Sequence, residues 1–174
     1  MQFKIVAFVV AALAAAVRAE HSAQNIVSSI DKVSGLVRDA TKTAESIGGN
    51  SYRGAVPRLV INTRNLIGLL TGEVQNSLAG LPSIGGDNDD GDICEAFNKF
   101  TKAQVKFLDT IASKGEVLTG GPAELVIANI LHALKGGVDG VAAGVIDGAP
   151  TCQTATANKK TLDEALDEAL ESIS

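Results

Sequence analysis

The fold is decided by residues 93–152, which read ICEAFNKFTKAQVKFLDTIASKGEVLTGGPAELVIANILHALKGGVDGVAAGVIDGAPTC. In each half, apolar residues recur at steps of three and four, which is the spacing of one face of an α-helix. Between the halves, residues 114–122 contain glycines that suit a helix end and a proline that suits a helix start. The stretch therefore predicts two antiparallel amphipathic helices folded back on each other. Their inner faces carry Ile93, Phe97, Phe100, Gln104, Phe107, Leu108 and Ile111 on the first, and Val126, Ile130, Ala133, Leu134, Gly137, Val138, Val141 and Val145 on the second.

The chain's two cysteines frame this helical pair. Cys94 lies near the start of the first helix and Cys152 lies just beyond the end of the second, so antiparallel helices bring the two side chains to the same end. Two cysteines in an exported chain are most simply paired. We therefore expect one disulfide between Cys94 and Cys152.

The N-terminus has the pattern of a secretory signal peptide. Lys4 precedes an unbroken apolar run over residues 5–17, and Val17-Arg18-Ala19 has small residues at the two positions that a signal peptidase reads. The run is shorter than the roughly 20 apolar residues that cross a bilayer, so we do not expect a transmembrane protein. We expect residues 1–19 to be removed and residues 20–174 to form one secreted, extracellular domain.

Three more helices are predicted outside the central stretch. An apolar stripe runs without a break from Ile26 to Ile47, a second begins between Ser51 and Pro57 and reaches Leu78, and a third covers residues 162–173. Glycines 68 and 72 predict a bend or frayed end near Thr71 in the second of these. The expected fold is all-α: a single five-helix bundle, mostly antiparallel, with one disulfide.

The longest predicted loop, residues 80–91, runs into the acidic sequence Asp87-Asn88-Asp89-Asp90-Gly91-Asp92. A calcium loop would need Gly91 as its turn glycine, which places the first ligand position on Gly86 and the closing glutamate position on Phe97. The spacing instead favours a solvated acidic linker whose last carboxylates lie at the positive N-terminus of the next helix.

Composition and charge exclude some functions. The formal net charge is −5, and removing Lys4 and Arg18 makes the chain more acidic still. Its basic residues are scattered, so nucleic acid is not an expected partner. The chain is 45% hydrophobic and contains 18 glycines but no tryptophan. Among these glycines, Gly136, Gly140 and Gly144 share one helical face, where they either let another helix pack closely or leave room for a ligand.

The residues that usually perform catalysis are nearly missing. The two histidines are His21, beside the predicted mature N-terminus, and His132, which lies off the inner face of its helix. The sequence contains no nucleophile elbow, no phosphate-binding glycine loop and no His-Glu-x-x-His motif. We expect no enzymatic activity, no catalytic residue, no metal and no cofactor.

Three segments resemble the fungal hydrophobic surface-binding protein A family, which includes the cell wall galactomannoproteins. They are Ile30-Asp31-Lys32-Val33, Asp92-Ile93-Cys94-Glu95-Ala96-Phe97, and the run from Gly137-Val138-Asp139 through Val145-Ile146-Asp147 to Pro150-Thr151-Cys152. The resemblance implies an exported helical bundle without enzymatic activity that adsorbs to hydrophobic surfaces, and some members hold a fatty acid inside the bundle. The chain has no Ser/Thr-rich stalk and no hydrophobic anchor tail, so covalent attachment to the wall through a glycolipid is not expected.

We interpret the chain as a secreted domain that binds hydrophobic matter, either a fatty acid between its helices or an apolar surface. The alternative is a structural or antigenic cell wall protein whose partner is polysaccharide or another protein. Cell wall material and a secreted enzyme remain open as further partners. The predicted apolar lining of a ligand site, whose residues are equally explained as ordinary core, is Leu66, Leu70, Phe97, Phe100, Phe107, Ile130, Leu134, Val138 and Val141.

Overall fold

The computed structural model describes residues 3–48, 51–79, 87–119, 121 and 123–173, with side chains from Ala23 onward and, after the gap at 80–86, from Asp89 onward. No strand occurs in this part of the chain. The predicted signal peptide lies in the region whose side chains are not described, and most of the loop at 80–91 lies in the gap. The helices are α1 (Phe3–Glu45), α2 (Tyr52–Leu69), a π-helical turn (Leu70–Val74), α3 (Gln75–Ala79), α4 (Asp87–Ala112), α5 (Gly115–Leu118), α6 (Glu124–Gly148) and α7 (Ala155–Glu171).

The long helices form a ring in the order α1, α2, α6, α7, α4 and back to α1. Side-chain contacts between neighbouring helices show whether the two helices run parallel or antiparallel. Asn62 donates to Thr43, and Lys32 pairs with Glu73, so α1 and α2 are antiparallel. Taken in chain order, α1, α2, α4, α6 and α7 alternate in direction, and this confirms the predicted all-α, five-helix bundle.

The predicted pair of helices over residues 93–152 is correct in direction but not in its packing partners. α4 packs mainly against α1 and α7, whereas α6 packs mainly against α2 and α7. α7 lies between them in the ring, and α4 and α6 meet directly at only a few residues. α4 packs on α7 because α7 also has an apolar face, which carries Leu162, Leu166 and Ala169. This face occupies the place beside α4 that the sequence pattern assigned to α6.

The disulfide forms as predicted. Cys94 and Cys152 have Cα atoms 5.3 Å apart and close a sequence separation of 58. Beside this bridge, Thr154 Oγ1 donates to Asn98 Oδ1 at 2.9 Å, and Asn158 donates to the same oxygen. The start of α4 is therefore fastened to the start of α7 by covalent and polar bonds together.

The acidic segment at 87–92 is not a linker, which corrects the sequence interpretation. α4 begins at Asp87 and contains the whole segment, since carboxylates in a first helical turn are favoured by the helix dipole. Asp90 is not solvated either, because it is only 2% exposed. Its Oδ2 accepts hydrogen bonds from the Thr151 backbone N–H at 3.3 Å and from Thr151 Oγ1 at 2.9 Å. Asp90 thus adds hydrogen bonds between the start of α4 and the segment that follows α6, close to the disulfide.

The predicted irregularity near Thr71 takes the form of the π-helical turn at Leu70–Val74. Leu66, Leu70, Val74 and Leu78 are all buried at steps of four residues. A step of four overshoots a full α-helical turn by about 40°, so these side chains would drift around a regular helix. The wider π turn takes up the excess and keeps the stripe on one side.

Within the described residues, α6 is the one helix long and apolar enough to cross a membrane by length and composition. In the bundle its buried face, which includes Leu131, Leu134 and Val138, packs inward among the other helices. Its position in the core accounts for the buried part of its apolar surface, while Leu125 and Val126 are exposed.

Candidate functional site

The five helices of the ring surround one central apolar interior, which we call the lane. Packed helices lie about 8–10 Å apart, so the centre of a five-membered ring is about 8 Å from each helix axis, whereas a helix with its side chains has a radius of about 5–6 Å. In an idealised ring the remaining distance is about 2 Å, close to the half-width of an acyl chain, but in this structure side chains fill that space. A ring of five helices can therefore enclose one extended aliphatic chain if the side chains at its centre move apart.

The predicted lining residues occupy this interior, with one exception. Eight of them are at most 1% exposed: Leu66, Leu70, Phe97, Phe100, Phe107, Leu134, Val138 and Val141. They come from α2, the π turn, α4 and α6, so three sides of the lane contribute. The interior is closed around these side chains in this structure, and a ligand would have to displace them.

Ile130 is the exception. It is 9% exposed and lies with Val126 and Ala133 on α6 in a shallow surface groove that Arg64 and Ile67 of α2 complete. Nearby positions on the same two helices carry exposed apolar side chains, Ile61 and Leu125. The structure therefore separates the predicted set into an enclosed interior and an outer groove between α2 and α6.

The glycine face of α6 is used for close packing. A Cβ atom on Gly144 would lie 2.9 Å from the Cβ of Leu78, and one on Gly140 would overlap the side-chain amide of Gln75. Gly137 lies against Leu70, and its carbonyl oxygen accepts a hydrogen bond from Gln75 Nε2 at 3.2 Å. Gly136 faces open space. Of the two interpretations of these glycines, the structure supports close helix packing at Gly140 and Gly144.

The interior carries few polar side chains. The buried ones among the described residues are Ser29, Ser34, Thr41, Thr63, Asp90, Thr101 and Gln104. Ser34, Thr41 and Thr63 each donate to the carbonyl oxygen four residues earlier in their own helix. The Thr101 hydroxyl and both amide atoms of Gln104 have no hydrogen-bond partner. Gln104 was placed on the inner face by the sequence, but its missing partners could be found only in three dimensions.

Ionisable groups lie mainly at the surface. Lys159 bridges α6 and α7 by binding Asp139 at 2.9 Å and Asp163 at 2.8 Å, and these hydrogen bonds raise the pKa of Lys159 to about 12. His132 is exposed on α6. Among the residues that the structure describes, no three His, Cys, Asp or Glu side chains come together in a way that could hold a metal ion. The described part of the molecule therefore combines an apolar interior with a charged surface.

Comparison with known proteins shows the fold. No protein-family model and no curated protein matches this sequence. The chain is similar to the crystal structure of AfMP4p in complex with palmitic acid, with a TM-score of 0.67 and 16% identity over 87% of this chain and 99% of that one. It is also similar to ligand-binding domain 1 of the Penicillium marneffei MP1 protein complexed with arachidonic acids, with a TM-score of 0.66 and 15% identity over 89% of this chain and 95% of that one. The chain shares the helical fold of these two proteins.

Proposed function

We propose that this chain is a secreted, non-enzymatic protein that holds a fatty acid between its helices. The observation that carries the proposal is the closed ring of five helices, whose middle is aliphatic and aromatic along α2, α4 and α6. An acyl chain enclosed there would gain about 0.8 kcal/mol for each buried methylene, so a long chain could bind tightly without a charged anchor.

The shared fold supports this proposal, because AfMP4p and the MP1 domain were both observed with fatty acids. The resemblance to the hydrophobic surface-binding protein A family points to the same class of ligand. In this proposal residues 1–19 are a signal peptide and residues 20–174 are the secreted domain. Cell wall material and a secreted enzyme are further partners that the same domain could meet outside the cell.

Native mass spectrometry of the gently purified secreted chain tests the proposal. We expect the wild-type protein to carry a co-purified fatty acid, and the delipidated protein to take up palmitic acid added in solution. Bare mass together with no displacement of a fluorescent fatty acid would contradict lipid binding. That outcome would favour the structural or antigenic wall protein instead.

A variant that fills the lane sharpens this test. Val138→Phe adds volume to an interior position and should lower fatty acid uptake at least about tenfold, at a stability cost of about 1–3 kcal/mol. Circular dichroism checks that the variant is folded. The matched control is Ile61→Ser, which removes an exposed apolar side chain and should leave uptake unchanged. Equal loss in both variants would place the ligand outside the interior.

Adsorption to hydrophobic surfaces is a second candidate function, favoured by the exposed apolar side chains of α2 and α6. Ile61 and Leu125 are 56% and 74% exposed, and the groove with Val126 and Ile130 lies on the same two helices. The double variant Ile61→Ser, Leu125→Ser should reduce adsorption to a polystyrene surface without changing fatty acid uptake. Val138→Phe should have the opposite pattern, so the two variants separate the two functions.

A further inference from the structure

The most unusual side chain in the interior is Gln104. It lies on the inner face of α4 and is 0% exposed, yet neither Nε2 nor Oε1 has a hydrogen-bond partner. One turn earlier, the buried Thr101 hydroxyl also lacks a partner. A buried polar group without a partner costs about 1–3 kcal/mol, so two neighbouring residues of this kind need a physical explanation.

Contacts between helices give the height of Gln104 in the bundle. Asn98 is bonded to Asn158, whereas Gly115, just beyond α4, lies against Ser172 beyond the end of α7. Gln104 lies between these two levels, which places it near the height of Leu162, midway along α7. On α4, Lys106 pairs with Glu45, the last residue of α1, so beside α1 the amide lies close to the helix end.

An amide offers one donor and one acceptor side by side. A carboxylic acid or a primary amide matches both, because it also carries one acceptor and one donor in the same plane. A carboxylate matches only the donor, and its second oxygen would face the carbonyl oxygen of Gln104. On the basis of the proposed lipid-binding function, we propose that Gln104, assisted by Thr101, binds the head group of the enclosed lipid in a neutral form, as a protonated carboxylic acid or an amide.

The charges around Gln104 agree with a neutral head group. On α1, α2, α4, α6 and α7, from Ala23 onward, Asp90 is the one buried ionisable side chain, and it lies about 21 Å along α4 from Gln104 at 1.5 Å per residue. The half-buried ionisable side chains of these helices lie near helix starts or in ion pairs at the α6–α7 contact: Tyr52, Asp89, Glu124, Lys135, Asp139, Lys159 and Asp163. All the others are exposed. Of the half-buried lysines in the described residues, Lys135 and Lys159 are already paired with carboxylates, and Lys114 lies ten residues beyond Gln104 in the chain. A carboxylate at Gln104 would therefore be desolvated without a buried counter-charge.

Three twelve-carbon ligands test the proposal: dodecanamide, dodecanoic acid and dodecyl sulfate, which stays anionic. Affinities are measured by isothermal titration with the full secreted protein. We expect the wild type to bind the amide about tenfold more tightly than the sulfate, the value of roughly two net hydrogen bonds. Affinity for the acid should rise as pH falls toward the ordinary carboxyl pKa of about 4–5, while affinity for the amide stays constant.

Gln104→Leu identifies the residue responsible. It should lower affinity for dodecanamide about tenfold and leave dodecyl sulfate within about twofold, since it removes hydrogen bonds and keeps the apolar lane. The unliganded variant should unfold at a higher denaturant concentration than the wild type because an unpartnered amide is gone. Gln104→Met, of similar volume, replaces it if the leucine variant does not fold. The control Thr63→Val removes a buried hydroxyl whose bond lies within its own helix, and it should leave the ratio of affinities unchanged.

The possible failures are distinct. Equal wild-type affinity for the amide and the sulfate, or an equal loss of both in Gln104→Leu, would overturn the head-group assignment while leaving lipid binding intact. Absence of binding for all three ligands would overturn the proposed function, and the head-group assignment with it.

Discussion

Two of the parallel pairs of neighbouring helices in the bundle are held together by different forces. α4 and α7 are joined by the Cys94–Cys152 disulfide and by the hydrogen bonds of Asn98. The π-helical turn and α3, which continue α2, pack on the glycine face of α6 through apolar contacts and a side-chain hydrogen bond from Gln75 to the Gly137 carbonyl. Apolar contacts are non-directional, whereas disulfides and hydrogen bonds have specific geometry. This contact with α6 is therefore the more suitable place for the proposed fatty acid to enter.

The largest expected effect on stability comes from removing the disulfide between α4 and the start of α7. Replacing both cysteines, Cys94→Ser with Cys152→Ser, should lower the free energy of unfolding by up to about 4 kcal/mol, because the bridge closes a loop with a sequence separation of 58. Urea denaturation followed by circular dichroism measures this. Fatty acid affinity should change little, since the lane is lined from other positions.

Wild-type protein treated with a reducing agent is the control for the cysteine variant and should unfold at the same urea concentration. A loss below about 1 kcal/mol in both would mean that the polar bonds of Asn98 and Asp90 hold α4 to its neighbours without the disulfide.

A smaller effect on stability is expected at the apolar contact between the glycine face of α6 and Leu78. Gly144→Ala brings a Cβ to 2.9 Å from the Cβ of Leu78, and the overlap should outweigh the gain in helix propensity, leaving a net loss of about 1 kcal/mol. Gly136→Ala is the matched control on the same helix, because no heavy atom lies within 4 Å of the added methyl group. It should raise stability by about 0.5–1 kcal/mol. Opposite changes in thermal stability would confirm the close contact, and equal gains would show that Leu78 of α3 moves aside at no cost in stability.

The smallest effect concerns the ion pairs of Lys159 between α6 and α7. The bonds to Asp139 and Asp163 raise the pKa of Lys159 from 10.5 to about 12. A raised lysine pKa stabilises the folded state below pH 10.5, and this contribution is lost as pH rises toward 12. Since the side chain is about one-third exposed, Lys159→Met should cost less than about 1 kcal/mol at neutral pH.

Urea denaturation of the wild type and Lys159→Met at several pH values measures this contribution. The difference between the two proteins should shrink between pH 10.5 and 12. A difference that does not change over this range would assign the effect to packing of the lysine stem.

The helices were predictable because their apolar residues repeat with the helical period, as in the stripe from Ile26 to Ile47. The disulfide was predictable because alternating helix directions bring Cys94 and Cys152 to one end. The ring order was not, since α7 has an apolar face as suitable for α4 as the face of α6 is. Which faces meet depends on all five helices together, and a pattern within one helix does not contain that information.

The burial of the apolar side chains in the interior was predictable, whereas the surroundings of its polar side chains were not. Phe97, Leu134 and their neighbours were assigned to the interior by periodicity alone. Asp90 was interpreted as solvated because the sequence around it is acidic, and its partner Thr151 is distant along the chain. Gln104 stood on the inner face among apolar residues, but only the surroundings of its amide reveal that it has no partner.

The π-helical turn at Leu70–Val74 constrains how this chain can change in length. It accommodates one residue more than a regular helix would, so deleting a single residue there would restore ordinary α-helical winding. Because the turn absorbs the extra residue, the later side chains of that helix would keep their directions after such a deletion, and Leu78 would stay against Gly144. The same deletion in the regular part of α2 would turn every later side chain by about 100°, so the π turn is the place where this helix best tolerates the loss of one residue.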